Sequence, residues 1–289
     1  MSNDFCIFIL SHKRPDNTKT LDQLNKAGYT GDWYIVVDHK DGLENYYETF
    51  GEDSVLYLNK DDALPGLDRG DNFNHRSTPL YTRYQIWDLA DDLGYDYFMM
   101  MDDDYEGFRW KFDEQFNFHN YIKMKNIESF LKSGIEYLKT TDVDCLAMAQ
   151  GGDFIGGIKS AIAEDGHPAT RRKVMNTFLC KTDSKFDFRG VLNDDVNTYV
   201  RAAQYGKIFL TANIAQVDQE ETQQFDGGLT ELYLDQGTYV KSFYTILYSP
   251  SCTKLSKISG SGASRIHHRI SWNNAVPKIV PESAKNEAD

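Results

Sequence analysis

The chain contains no apolar run long enough to cross a bilayer, so no membrane-spanning helix is expected. The opening residues, MSNDFCIFILSHKRPDN, lack the basic n-region of a signal peptide, and the apolar stretch from Phe5 to Leu10 is too short for one. Cysteine is scarce: Cys6, Cys145, Cys180 and Cys252 lie far apart with no CxxC pair. That spacing disfavours a disulfide framework and a zinc site, and leads to an expectation of reduced, buried thiols in a cytoplasmic protein. Neither of two common phosphate cradles is present, since the sequence holds no GxxxxGK[ST] loop and no GxGxxG fingerprint. A further deficit is local. From Gln236 to Pro281 there is no Asp or Glu in 46 residues, where 44 acids in 289 would put about seven.

What is present suits a folded enzyme. A chain of 289 residues, 40% hydrophobic and 13% aromatic, can bury a sizeable core as one large domain or two small ones. No internal repeat or linker divides it, so residues 1–281 are expected to form one domain, and the polar 282–289 a disordered tail. A net charge of -13 argues against a nucleic-acid partner. The acid-free stretch cuts the other way, because it carries Lys241, Lys254, Lys257, Arg265, Arg269 and Lys278 with His267 and His268. A shorter acid-free stretch, Gly166 to Thr182, holds Arg171, Arg172, Lys173 and Lys181. Such segregation is either ordinary surface composition or a basic face for the phosphates of a nucleotide or a polymer.

Periodicity predicts an α/β alternation. FCIFIL, DWYIVVD, SVLYLNK, YFMMM, DCLAMA and KIFLTANIAQV read as strands. Between them, NTKTLDQLNKAG, STPLYTRYQIWDLADDLG (capped by Ser77), NIESFLKSGIEYLKTT and NDDVNTYVRAAQYG read as amphipathic or capped helices. Short connections between alternating elements imply a mostly parallel sheet flanked by helices, whose ligands bind beyond the carboxyl ends of the strands. Three of these strands end in polar clusters: Ser11 to Asn17, Asp38 to Asp41, and Asp102 to Asp104.

The last cluster is chemically the most demanding. A strand buried on both faces runs into three adjacent carboxylates, which repel one another and lose hydration if partly buried. An Asp-x-Asp pair there could hold Mg²⁺ or Mn²⁺, hard cations that take oxygen ligands and keep positions open for substrate phosphates. Such a metal would stabilise the diphosphate leaving a nucleotide sugar.

The order of SHKRPDN, YIVVDHKD, LYTRYQIWDLADDLGYDYFMMMDDDY and FRGVLNDDVNTYVRAA resembles that of GT-A glycosyltransferases. More narrowly, AMAQGGDFIGG, LNDDVNTYV, LYLDQGTYVKSFY and RIHHRISWNNAVPKI look like the TET-associated glycosyltransferases, found largely in bacteriophages and linked to sugar addition on hydroxymethylated DNA bases. The resemblance runs from about Phe5 to Pro281. It implies a GT-A-like sheet, a divalent metal, a nucleotide-sugar donor such as a UDP-sugar, a modified-DNA acceptor and a phage protein working in the host cytoplasm.

The same resemblance implies site residues. Asp104 would be the principal metal ligand and Asp102 would contact metal or ribose, with Asp103 between them counted on the donor side. Asp38 matches the carboxylate that recognises the nucleotide base or ribose, although a turn aspartate explains it equally well. Ser11 belongs to the donor side. Arg14 and Arg83 would neutralise diphosphate or brace the aspartates, and Arg83 could instead be a surface ion pair. His267 and His268 match a histidine that completes the metal site, against the alternative of a solvated basic loop. Asp194 and Asp195 suit a helix N-terminus as caps, and the resemblance makes Asp195 the preferred general base. Asp194 departs from the expected glutamate. The glycines of GGDFIGG would admit sugar or acceptor close to the backbone. Alternatives to DNA are a saccharide or protein acceptor, or a binding protein without turnover.

Overall fold

The protein is described here by a computed structural model, over residues 4–73, 75–164, 174, 177–219, 237, 239–260 and 263–275. Nine strands form the main sheet: β1 (Phe5–Leu10), β2 (Asp32–Asp38), β3 (Val55–Leu58), β4 (Tyr97–Asp102), β5 (Tyr105–Phe112), β6 (Phe118–Lys123), β7 (Cys145–Gln150), β8 (Phe178–Lys181) and β9 (Phe209–Gln219). Their order is β3-β2-β1-β4-β8-β7-β9-β5-β6. The first four are mutually parallel, as are β7 and β9, while β8 and β5 run against their neighbours. The mostly parallel sheet flanked by helices expected from the sequence is therefore what forms.

Continuous apolar strands are covered on both faces. Along β1, Phe8 joins one core with Met100, Trp87, Phe178 and Phe188. Its neighbours Ile7 and Ile9 join the other, with Met99, Met101 and residues Leu24, Phe130 and Leu131 of the helices. These helices are α1 (Lys19–Lys26), α2 (Leu43–Phe50), α3 (Lys60–Ala63), α4 (Leu80–Asp92), α5 (Ile127–Lys139), α6 (Ala161–Glu164), α7 (Asp194–Ala203), α8 (Lys241–Tyr248) and α9 (Trp272–Ala275). Alternate residues of one strand thus serve opposite cores, which is why no polar residue interrupts Phe5 to Leu10.

Helix ends follow local chemistry in part. The Asn126 side chain accepts from Ser129 N–H at 3.1 Å and starts α5. The start of α4 differs from the expectation of a Ser77 cap: its cap position is Pro79, without a side-chain cap bond, and the Thr78 hydroxyl accepts from Leu80 N–H. Proline fixes the entry by its rigid φ rather than by a side-chain acceptor.

A second sheet stands apart, the hairpin of β10 (Thr253–Gly260) and β11 (Ala263–Ile270). It packs against α8, and α8 in turn against α7. All four cysteines are free and buried, as expected. No helix among the described residues is long and apolar enough to cross a membrane. The tail 282–289, together with Arg171, Arg172, Lys173 and Lys278, lies outside the described residues.

Candidate active site

Because β2, β1 and β4 are adjacent and parallel, their carboxyl ends share one edge, and the three polar clusters meet there. The aspartate run divides by strand alternation. Asp103 points inward and is fully buried. Its oxygens accept from Ser11 Oγ at 2.7 Å and Arg14 Nη2 at 2.5 Å. Ser11 also meets the Tyr46 hydroxyl at 2.9 Å, and that oxygen accepts the Arg14 backbone N–H at 2.9 Å. Burial pushes the Asp103 carboxyl up to about 7, with Arg14 and Ser11 opposing the shift. With both oxygens engaged, Asp103 and Ser11 tie the end of β1 to the end of β4.

Asp102 and Asp104 point the other way. The backbone between them is pinned by Thr20 of α1, whose hydroxyl donates to Asp102 O at 2.6 Å and accepts Tyr105 N–H at 3.1 Å. Asp102 is half-buried, and its Oδ1 accepts from Arg83 Nη2 at 2.9 Å. Gln219, at the end of β9, donates through Nε2 to Asp104 Oδ1 at 3.0 Å and lies 3.5 Å from Asp102 Oδ2. Burial, and then the charge of Asp102, push Asp104 up to about 6, with the Gln219 amide opposing. Of the two crowded carboxylates, Asp102 has the Arg83 cation on one oxygen, while Asp104 is held by a neutral amide.

Arg83 is itself 3% exposed and spans two elements. Besides Asp102, it donates through Nη1 to Asp194 Oδ2 at 2.9 Å. Its guanidinium carbon lies 5.3 Å from the Phe178 ring centre and 5.7 Å from that of Phe188. Burial alone would depress its pKa, but Asp194 and Asp102 more than reverse this and hold it above the ordinary value. Burial raises the Asp194 pKa and Arg83 opposes it. With the cation so strongly held at 2.9 Å, the two form an ion pair. Buried this deeply, Arg83 is not a surface ion pair: it joins Asp102 to Asp194.

Asp194 and Asp195 open α7, after Asn193 in the left-handed region at φ 53°. Asp194 is spent on Arg83. Asp195 accepts its neighbour Val196 N–H on Oδ1 at 2.7 Å, and among the described residues no hydrogen bond reaches its other oxygen. Lys241, at the start of α8, lies near enough for Asp195 to counter the lowering that burial imposes on the lysine pKa. Gly190 lets this junction close, at φ +81°: a Cβ there would lie 2.5 Å from Asn197 Nδ2 and 2.8 Å from Tyr248 Cε2.

The histidines occupy a neighbouring place. Asn193 Nδ2 donates to Lys241 O at 3.0 Å and to Thr245 Oγ1 at 3.1 Å, and lies 3.3 Å from His268 Nδ1. His268 is buried, and its ring lies 4.2 Å from that of His267. Among the described residues no group of three or more His, Cys, Asp or Glu side chains converges as a metal cage. The structure links His268 to the α7 junction through Asn193. Trp272 stacks on Tyr199 at 5.7 Å.

Asp38 is buried and engaged on both oxygens by a residue the sequence did not single out. Arg76 donates to it through Nη2 at 2.8 and 3.1 Å and through Nε at 3.1 Å. His39 Nδ1 lies 2.9 Å from Asp38 Oδ1. Arg76 also pairs with Asp61, and its carbonyl accepts from the buried Lys60 Nζ at 2.6 Å. Arg76 and Gln219 are missed by sequence reasoning because each meets its partner from a distant loop or strand end; neither lies in a motif.

The sequence profile of the TET-Associated Glycosyltransferase family matches residues 5–228. No curated protein matches the chain. Several solved structures are remotely similar. Mannosyl-3-phosphoglycerate synthase from Rubrobacter xylanophilus is 8% identical over 92% of this chain and 84% of that one, with a TM-score of 0.46. Glucosyl-3-phosphoglycerate synthase from Mycobacterium tuberculosis, in complex with Mn²⁺, uridine diphosphate and phosphoglyceric acid, is 10% identical over 93% and 87%, at 0.45. Mannosyltransferase PcManGT from Pyrobaculum calidifontis, in complex with GDP-Man and Mn²⁺, is 13% identical over 76% and 58%, at 0.46.

Proposed function

The chain belongs to the TET-associated glycosyltransferase family, and from that premise we propose that it moves a sugar from a nucleotide-sugar donor, a UDP-sugar, onto the hydroxymethyl group of a modified pyrimidine in phage DNA. That it is a glycosyltransferase follows from the family; donor and acceptor are the proposal. One observation carries the mechanism: a single buried guanidinium, that of Arg83, touches Asp102 on one side and Asp194 on the other. The strand end that carries Asp102 and Asp104 and the helix start that carries Asp195 are thereby held in one place.

The donor set fits a divalent cation. Asp104, held only by the neutral Gln219 amide, and the Asp102 oxygen not taken by Arg83 would hold Mn²⁺ or Mg²⁺ at the sheet edge, with positions left for substrate phosphate. When bound, such an ion supplies Lewis-acid stabilisation of the departing diphosphate. The protein's own residues do the rest. Arg83 keeps Asp102 in position, Gln219 holds Asp104, and the Ser11–Asp103–Arg14 cluster fixes the loop from below. Asp195, with one oxygen taken by Val196 N–H, offers the other to the acceptor hydroxyl and takes its proton as the oxygen bonds to the anomeric carbon. The carbon–oxygen bond to the diphosphate breaks in exchange. Asp38 serves the nucleoside indirectly, by setting Arg76 at the end of β2. The glycine-rich turn after β7 admits the acceptor. A base in a duplex must swing out of the stack to bring its hydroxymethyl group to a carboxylate seated at a helix start.

The test is direct. The protein is incubated with Mn²⁺, UDP- and GDP-sugars, and DNA containing hydroxymethylcytosine, hydroxymethyluracil or neither; the DNA is digested and the nucleosides weighed. A sugar mass on the hydroxymethylated nucleoside alone is expected. Transfer to a saccharide or peptide with none to DNA would overturn the acceptor and leave the transferase.

A further inference from the structure

The acid-free C-terminal stretch becomes more specific once its strands are paired. In the β10–β11 register Lys254 faces Arg269 and Ser256 faces His267, and Arg265 lies two residues before His267, so these five share one face. The opposite face carries Thr253, Leu255, Lys257, Ile266, His268 and Ile270, of which Thr253, His268 and Ile270 are buried and Lys257 is exposed. Lys254, Arg265 and Arg269 are exposed. None of the three takes part in an ion pair among the described residues. Elsewhere Arg14, Arg76, Arg83, Arg109 and Arg189 are held by carboxylates, while Arg69 donates to Phe73 O and Arg201 lies over the Tyr205 ring.

We infer that this outer face of the β10–β11 hairpin is a nucleic-acid docking surface that carries the phosphates of the acceptor strand past α7. The inference rests on the reading of DNA as acceptor and deepens it. Charge complementarity selects the occupant. On a protein of net charge -13, a face with cations and no acid attracts a polyanion against the field of the rest of the molecule. Its extent selects a polymer over a single phosphate group. Arg265 and Arg269 are four residues apart on one strand, about 13 Å, a distance that one phosphate does not span and several consecutive phosphates do. Its position joins it to the chemistry: Asn193, immediately before Asp194 and Asp195, contacts β11 at His268 and α8 at Lys241. Lys241 feels the charges of both Asp195 and Arg265. Phosphate contacts of this kind position the strand without reading its sequence.

The experiment uses the full chain, a fluorescein-labelled 20-nucleotide single strand with and without hydroxymethylcytosine, and anisotropy at 50 and 200 mM NaCl. Three to four phosphate contacts on a single strand predict about a thirtyfold weakening of the wild type between the two salts. The double variant Arg265→Glu with Arg269→Glu is expected to bind at least about tenfold more weakly at 50 mM, with a flatter salt slope. A charge-matched variant on α5, Lys132→Glu with Lys139→Glu, is expected to bind as the wild type does, and melting curves verify that both variants fold. If the hairpin variant binds with wild-type affinity and slope while the wild type still glycosylates modified DNA, the docking surface is wrong and the acceptor stands. If the wild type neither binds nor modifies DNA, both are wrong. Binding to vesicles of anionic phospholipid in place of DNA would likewise overturn the inference.

Discussion

Replacing Arg83 by methionine tests the brace on which the site rests. Methionine keeps a long apolar side chain against Phe178 and Phe188 and deletes both ion pairs. Removing one partner of a buried pair costs about 3–5 kcal/mol, because the charge left behind is uncompensated. Here most of the cost falls on Asp194, which is buried, and less on the half-buried Asp102. For a chain of this size that corresponds to a fall in Tm on the order of 10 °C. The effect depends on pH with a defined sign. Without Arg83, the burial that raises the Asp194 pKa is no longer opposed by a cation, so its folded value moves further above the roughly 3.9 of an unfolded aspartate. Between those two values the folded state holds the extra proton, so stability falls as pH rises through the window, and the loss is complete above it. The deficit against wild type should be greatest at pH 8 and shrink towards pH 5, by at most about 1.4 kcal/mol per pH unit and carboxyl. Urea unfolding followed by tryptophan fluorescence at pH 5, 6.5 and 8 measures it. A variant as stable as wild type at pH 8, or a deficit that is the same at all three values, refutes the brace.

Two further substitutions separate metal site from base. Asp104→Asn should abolish metal-dependent donor binding, measured by calorimetry with UDP and Mn²⁺. Without metal it should be as stable as wild type at pH 7.5, or more stable by up to about 2 kcal/mol, since a carboxyl pushed up to about 6 by burial and Asp102 is removed; unchanged Mn²⁺-dependent binding refutes the metal site. Asp195→Asn should lower turnover by roughly a hundredfold or more with donor affinity unchanged, as for a lost general base. If donor binding and Tm collapse together instead, Asp195 is a helix-start residue only.

The parallel half of the sheet is legible because its strands are buried on both faces and read as unbroken apolar runs: FCIFIL, YFMMM and DCLAMA become β1, β4 and β7. The antiparallel members are not. β6 is mostly exposed and shows no alternation, and β8 has only four residues. The hairpin reads as an acid-free composition before its pairing gives it faces. At the site, proximity to a strand end marks Asp102 and Asp104. What each aspartate does depends on which way it points, and only the fold shows that Asp103 turns inward to Ser11 and Arg14. Arg83 is visible in the sequence as a cation on a helix, but its two partners stand 19 and 111 residues away.

The separation of the hairpin from the main sheet bears on how such an enzyme can be altered. Among the described residues, β10 and β11 share no hydrogen-bonded ladder with the nine strands whose ends place Asp38, Asp102 and Asp104. Their contacts run through α8, with Asn193 as the latch between that helix, β11 and the start of α7. A replacement hairpin need only preserve the inward face around His268 and Ile270 to seat on the same latch. The surface presented to an acceptor is then free to diverge, or to be redesigned, while the carboxylates at the sheet edge keep their geometry.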